Sequence, residues 1–222
     1  MKVRESGMPE ESVWAGFFAP EAVLRKLGLT SSCGDVVDFG CGYGTFTIPA
    51  ARIVSGIVHA LDIESDMVQA TAAKAQVAGL HNVKTYFRDF VAEGTGLPDA
   101  SVIYVMLFNI LHAEWPDALL REAYRVLAPG SKLGIVHWNY DPATPRGPAM
   151  AIRPRPEQCR EWAESAGFSL LAPGIIDLPP HHYGLVLEWP GPNHSLPASQ
   201  NLTNYVIGKQ LRHIMRMLRY SK

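Results

Sequence analysis

In the stretch VVDFGCGYGTFTIPAA, residues 36–51, an apolar run passes through Asp38 into glycines at alternate positions, Gly40, Gly42 and Gly44, and then into a helical pattern. A strand ending in such a turn leaves backbone N–H groups unpaired at the start of the next helix, and the glycines admit a ligand where a Cβ would collide. That is the chemistry of a nucleotide-type site. Residue 45 is threonine, so the spacing is GxGxG rather than the GxGxxG of a dinucleotide turn. Asp38, two residues ahead of Gly40, would repel a phosphate and attract a cationic group. The next apolar run ends in Asp62, 18 residues past Gly44, where a carboxylate can accept hydrogen bonds from both hydroxyls of a ribose. A nucleoside carrying a positively charged arm satisfies both acids.

A second cluster lies in MLFNILHAEWP, residues 106–116, where Asn109 and His112 are polar positions in an apolar setting. An imidazole with an ordinary pKa near ~6.5 can take a proton from an acceptor, and it can equally bond a backbone group and pack. Trp14, Phe17 and Phe18, with Tyr43 of the glycine turn, are candidates for a lid over a ligand mouth; the alternative is that they cover core surface. His181 and His182, in PPHHYG, sit in a hairpin turn that is either near an acceptor or remote from it. Cys33, Cys41 and Cys159 form no CxxC pair, and the eight histidines show no HxxxH or HExxH spacing, so no metal site is expected and the cysteines read as free thiols.

The elements that must position these residues follow from periodicity. From residue 35 onward short β-branched runs alternate with helical patterns, the mark of βα units and a mostly parallel sheet with helices on both faces. Seven strands are expected: DVVDFG from 35, GIVHALD from 56, VKTYFRD from 83, ASVIYVMLF from 100, KLGIVHW from 132, FSLLAPGIIDL from 168 and HYGLVLEW from 182. The last two are joined too closely for a helical crossover, so the last strand should be antiparallel. TFTIPAARIV, SDMVQATAAKAQVAG, WPDALLREAYRVLAPG and RPEQCREWAESAG supply helices, with Pro116 near a start and Gly79 and Gly167 just past ends. In the second of these Ser65 can cap the first turn, and Met67, Ala70, Ala73, Lys74 and Val77 fall on one face for packing against the sheet.

At 222 residues, 47% hydrophobic and 18% charged, the chain supports one well-buried core. Three segments are expected: an N-terminal lid and helix over 1–30, the α/β domain over 31–190, and a linker with a basic amphipathic helix over 191–222. The last carries Lys209, Arg212, Arg216, Arg219 and Lys222 and no acid, beside an acidic body, which is not the distribution of a nucleic-acid-binding surface. It can dock on the body, pair two copies as a homodimer, or lie on an acidic membrane surface. No apolar run approaches the ~18 residues of a membrane span, and the start lacks the apolar core of a secretory signal, so a cytoplasmic location is expected.

These residues together resemble the class I S-adenosylmethionine-dependent methyltransferases, over most of residues 12–190. VVDFGCGYG resembles that family's first motif, ALDIESDM its second, YFRDF its third-strand motif, and AYRVLAPGSKLGI the helix–turn–strand after the active-site strand. The resemblance implies a Rossmann-like methyltransferase fold and S-adenosylmethionine as methyl donor, with S-adenosylhomocysteine as product. It implies that Gly40, Cys41, Gly42, Tyr43 and Gly44 pass the methionine part, Asp38 helps hold its amino group, and Asp62 holds the ribose. Ile63 and Met67 would flank the adenine, Asp89 and Phe90 would meet its edge, and Leu107 would belong to the donor site. Asn109 and His112 would stand where donor and a small-molecule acceptor meet. Two other readings stay open from the residues alone, a nicotinamide-dependent oxidoreductase and a non-catalytic S-adenosylmethionine-binding protein.

Overall fold

The glycine turn and both acids sit at one edge of a single sheet, and the chain's order of elements explains why. The computed structural model describes residues 9–191. Two short helices, α1 (Glu11–Ala15) and α2 (Pro20–Lys26), lead into β1 (Val36–Phe39), α3 (Thr47–Ile53), β2 (Val58–Asp62), α4 (Ser65–Val77) and β3 (Val83–Phe87). Then follow β4 (Val102–Phe108), α5 (Pro116–Val126), β5 (Leu127–Trp138), α6 (Pro156–Ser165), β6 (Ser169–Leu170), β7 (Ile176–Leu178) and β8 (His182–Glu188). The strand order is β3-β2-β1-β4-β5-β8-β6, with β7 also on β8. Strands β1 to β5 are parallel, and β8 runs antiparallel to β5, β6 and β7. Strand order reverses between β1 and β4, which is where an open α/β sheet leaves a crevice beyond the strands' carboxyl ends.

Alternation along the strands fills two cores. Val37 and Phe39 of β1 with Val105 and Leu107 of β4 face α5 and α6. Val36, Tyr104 and Met106 face α2 and α3. Gly79 and Gly167 close their helices as expected: the N–H of Gly79 donates to Gln76 O and that of Leu80 to Ala75 O, and Gly167 and Phe168 repeat the pattern onto Glu164 and Ala163. No helix among the described residues is long and apolar enough to cross a membrane. The basic helix expected over 191–222 and its role as a dimer contact lie outside the described residues.

Four local expectations change. The run FSLLAPGIIDL is two strands, because Gly174, at φ 95°, and the Gly174 N–H donating to Leu171 O make a turn inside it. The helix begun at Pro116 ends at Val126 rather than continuing through LAPG, since Pro129 can neither donate nor allow Ala128 a helical conformation, and Leu127 instead opens β5 opposite Val102. Ser65 does not cap α4: the N-cap is Glu64, and the Ser65 hydroxyl bonds Asp66. The buried face of α4 is Thr71 and Ala75, while Val77 is 91% exposed. This alanine-rich helix offers no strong apolar stripe, so its rotation is decided by the turn it packs against.

Tyr104, fully buried, ties α2 to the sheet by donating to Leu27 O at 2.9 Å. Its ring lies across Gly134 of β5, where an added Cβ would stand 2.2 Å from the hydroxyl oxygen. Gly134→Ala is therefore expected to lower unfolding free energy by about 1–3 kcal/mol through overpacking, measurable by urea denaturation. Unchanged stability would mean that the ring moves aside without cost.

Candidate active site

The turn after β1 is built on Asp62. Its Oδ2 accepts the Gly42 N–H at 2.8 Å and its Oδ1 the Glu64 N–H at 2.9 Å, joining the tip of β2 to the glycine turn and to the start of α4. The N–H groups of Gly40 and Cys41 both donate to Leu61 O. Thr71 of α4 donates its hydroxyl to Gly42 O at 2.9 Å, fixing the same bend from above. Gly40, Gly42 and Gly44 have φ of 77°, 52° and 76°, the left-handed region that side chains with a Cβ rarely adopt. At Gly44 a Cβ would also meet the Thr71 hydroxyl at 3.0 Å.

Asp38 is buried one residue before the end of β1, and its Oδ2 accepts the Thr47 hydroxyl at 2.6 Å. Burial pushes its carboxyl up to about 7; the Thr47 bond opposes this and the negative Asp62 adds to it. Asp62 is also raised, again first by burial, against the backbone N–H groups that it accepts. Burial, then the two carboxylates, drives the Cys41 thiol far above its ordinary range, so it is a packed side chain rather than a nucleophile.

Ile63 and Met67 are partly buried beside the Asp62 tip. Asp89 follows β3, and its Oδ1 accepts the Ala92 N–H at 2.9 Å. Phe90 is only 4% exposed, packed edge-on to Phe39 at 5.4 Å, and Leu107 is fully buried in the core beneath α5. The side chains of both pack in the core cluster against α5. Asn109 follows β4 at φ 55°, and both polar atoms of its amide are buried without a hydrogen-bond partner among the described residues. His112 lies just beyond, buried, its Nδ1 3.3 Å from Nε2 of the fully buried His137. Burial holds the His112 imidazole down to about 4, so it is neutral at physiological pH. It lines a cavity of about 490 Å³ formed with Tyr140, Met150, Arg153, Arg155 and Trp162.

The N-terminal segment clasps this edge twice. Tyr43 donates its hydroxyl to Pro9 O at 3.2 Å, while Lys74 pairs with Glu11, donates to Tyr43 O at 2.6 Å and stands over the Tyr43 ring. Farther along, Trp14 and Phe17 contact Trp138 of β5, and Phe18 lies between Phe46 and His182. His182 is thus an aromatic-cluster residue, pushed by burial to about 3, and His181 stacks on Trp138. Lys74, Thr47, Thr71, His137 and Trp138 are the participants that motif spacing did not single out. A threonine nine residues past the strand-tip acid is a signal legible only in retrospect. Among the described residues no group of three or more His, Cys, Asp or Glu side chains could hold a metal ion.

Residues 36–130 match the family model described as methyltransferase domain. The chain is 31% identical over 131 residues to nocamycin O-methyltransferase of Saccharothrix syringae, covering 58% of this chain and 41% of that one. It is 32% identical over 105 residues to demethylmenaquinone methyltransferase of Listeria welshimeri, covering 46% of this chain and 44% of that one. It thus spans less than half the length of these curated relatives. Among solved structures it resembles a SAM-dependent methyltransferase from Aquifex aeolicus with a TM-score of 0.71 at 24% identity, over 81% of this chain and 94% of that chain. The fold is that of the Rossmann-like S-adenosylmethionine-dependent methyltransferases, and residues 36–130 carry the match to the methyltransferase domain.

The buried carboxylates give a direct test of the local electrostatics. Because the folded pKa of Asp38 lies above its unfolded value, its contribution is most favourable below the unfolded pKa near 3.8 and is lost as pH rises through about 7. Asp38→Asn keeps an acceptor for Thr47 and removes the ionisation. The ligand-free variant is expected to gain up to about 1–4 kcal/mol over the parent at pH near 8 and little at pH near 4, read by thermal unfolding at both. An equal gain at both would show that Asp38 titrates normally.

Proposed function

We propose that the protein transfers a methyl group from S-adenosylmethionine to a small-molecule acceptor. The observation that carries this reading is the pair of buried acids, Asp38 and Asp62, on either side of a glycine bend at the tips of neighbouring strands. The donor fits this chemistry: a buried carboxylate raised by burial is stabilised in its ionised form by an ammonium or sulfonium, and Asn109 offers both a donor and an acceptor with no protein partner. Nothing in the bend favours a pyrophosphate, which disfavours a nicotinamide cofactor.

Bound there, S-adenosylmethionine supplies a methyl group activated by its sulfonium, which passes in line to the acceptor and leaves S-adenosylhomocysteine. The chain's own residues align and enclose. Asp38 and Asn109 hold the amino acid end, Asp62 the ribose hydroxyls, and Ile63 and Met67 the faces of the base. Asp89 and the Phe90 backbone meet its edge. Trp14, Phe17 and Phe18 close the mouth and exclude water, which helps a reaction whose demand is alignment. His112 lines the cavity, and in the tautomer whose Nδ1–H donates to His137 Nε2 its own Nε2 is the nitrogen that takes a proton. The nocamycin O-methyltransferase match supports a small acceptor, and the cavity beside His112, about 490 Å³, is of a size to take one. A cytoplasmic location and a homodimer contact through the basic C-terminal segment belong to the same proposal.

Calorimetry with S-adenosylhomocysteine and with NAD tests the reading: the first should bind and the second should not. Asp62→Ala is expected to weaken S-adenosylhomocysteine binding by about 1–3 kcal/mol in a folded protein, and unchanged affinity would remove it from the ribose. His112→Gln should lower turnover by about 10²-fold or more while leaving donor affinity intact. Because burial lowers the His112 pKa to about 4, its proton-accepting form is complete above pH near 5, so no acid limb near 6.5 is expected in kcat. A limb near 6.5 that His112→Gln abolishes would contradict the buried, neutral imidazole.

A further inference from the structure

The cavity beside His112 holds more positive charge than the protein around it neutralises. Arg153 is 7% exposed, yet all its hydrogen bonds go to uncharged groups. Nε and Nη2 donate to Pro148 O, Nη2 also to Arg146 O, and Nη1 to Asn139 O, Asp141 O and the Thr144 hydroxyl. Asp141 contributes its main-chain carbonyl; its carboxylate accepts the Ala143 N–H instead. Among the described residues no ion pair forms, and the nearby Asp141 carboxylate only partly offsets the cost of burying the guanidinium, although buried charges are ordinarily paired. Arg155, exposed at the same cavity, lies 3.7 Å over the Tyr140 ring and also has no acidic partner among the described residues. The first turn of α6 adds the positive end of its dipole at this wall, where the Arg155 N–H is capped by Gln158 Oε1. Against these stands, among the described residues, one lining acid, Glu114, exposed at the rim and in no ion pair there. His112 is neutral there.

The two arginines differ in what they can do. Every N–H direction of Arg153 is used, so it pins the β5–α6 connection and contributes field rather than contact. Arg155 keeps its guanidinium edges free while its face is held on Tyr140, a geometry suited to a carboxylate. Leu111, Met150, Ile152 and Trp162 supply apolar and aromatic walls, and about 490 Å³ falls within the ~300–1,000 Å³ of small-molecule sites.

We propose that this cavity takes an acceptor that is a small aromatic acid, its carboxylate on Arg155 and its methyl-accepting hydroxyl or amine toward His112. The assignment rests on the methyltransferase reading, and the two fail differently. The full chain, saturated with S-adenosylhomocysteine, is titrated by calorimetry with para-hydroxybenzoate, para-coumarate, their primary amides and phenyl phosphate. The acids should bind at least about tenfold more tightly than the amides. Arg155→Gln, at an exposed position, should abolish that preference, and Arg155→Lys should keep part of it. S-adenosylhomocysteine and amide affinities should not change in either variant. Acids and amides binding alike, no acid binding below about 5 mM, or phenyl phosphate outcompeting both acids would overturn the carboxylate site while donor binding still stands. Failure of S-adenosylhomocysteine to bind would instead overturn the underlying reading and this proposal with it.

Discussion

Two carboxylates drawn out of water at adjoining strand tips govern this molecule. Asp62 can be buried because the backbone N–H groups of Gly42 and Glu64 converge on it, and those bonds hold the glycine bend in its left-handed conformations. Asp38 has a single hydroxyl, that of Thr47, and is correspondingly more perturbed. One acid is satisfied by the protein and is a structural strut as well as a ligand candidate. The other is left short of partners, a cost that protonation or an added cation relieves.

The rest of the donor edge is arranged around that bend. Thr71 and Lys74 of α4 accept the turn's geometry by bonding Gly42 O and Tyr43 O, and Lys74 passes the connection on to Glu11. The N-terminal segment is thereby anchored at the glycine turn and again at Trp138, with Tyr104 holding α2 between them. A short helix such as α1, with no buried residue of its own, keeps its place through these few contacts.

On the opposite face the polar groups are unusual for a core. His112 and His137 face one another, and Tyr183 bonds Cys159 Sγ and donates to Pro154 O. Arg153 gathers the carbonyls of the β5–α6 connection around its guanidinium. All of these lie near the carboxyl ends of β4 and β5, beside the donor edge rather than on it. Loops assembled by a buried arginine are stiff enough to give a cavity a fixed shape, and they leave it positively charged.

The sequence by itself determined the sheet, because apolar alternation and helix-stop glycines are local signals: Gly79 and Gly167 close their helices where spacing placed them. It determined the glycine bend and its two acids too, since their chemistry follows from residue type and strand position. Tertiary structure alone decided which face of alanine-rich α4 is buried, where α5 yields to β5, and that FSLLAPGIIDL breaks in two. It also turned Phe90 and Leu107 into core and brought His137 to His112 across 25 residues of chain. Such partners are chosen by packing between elements distant in sequence, and no period or motif within either element records them.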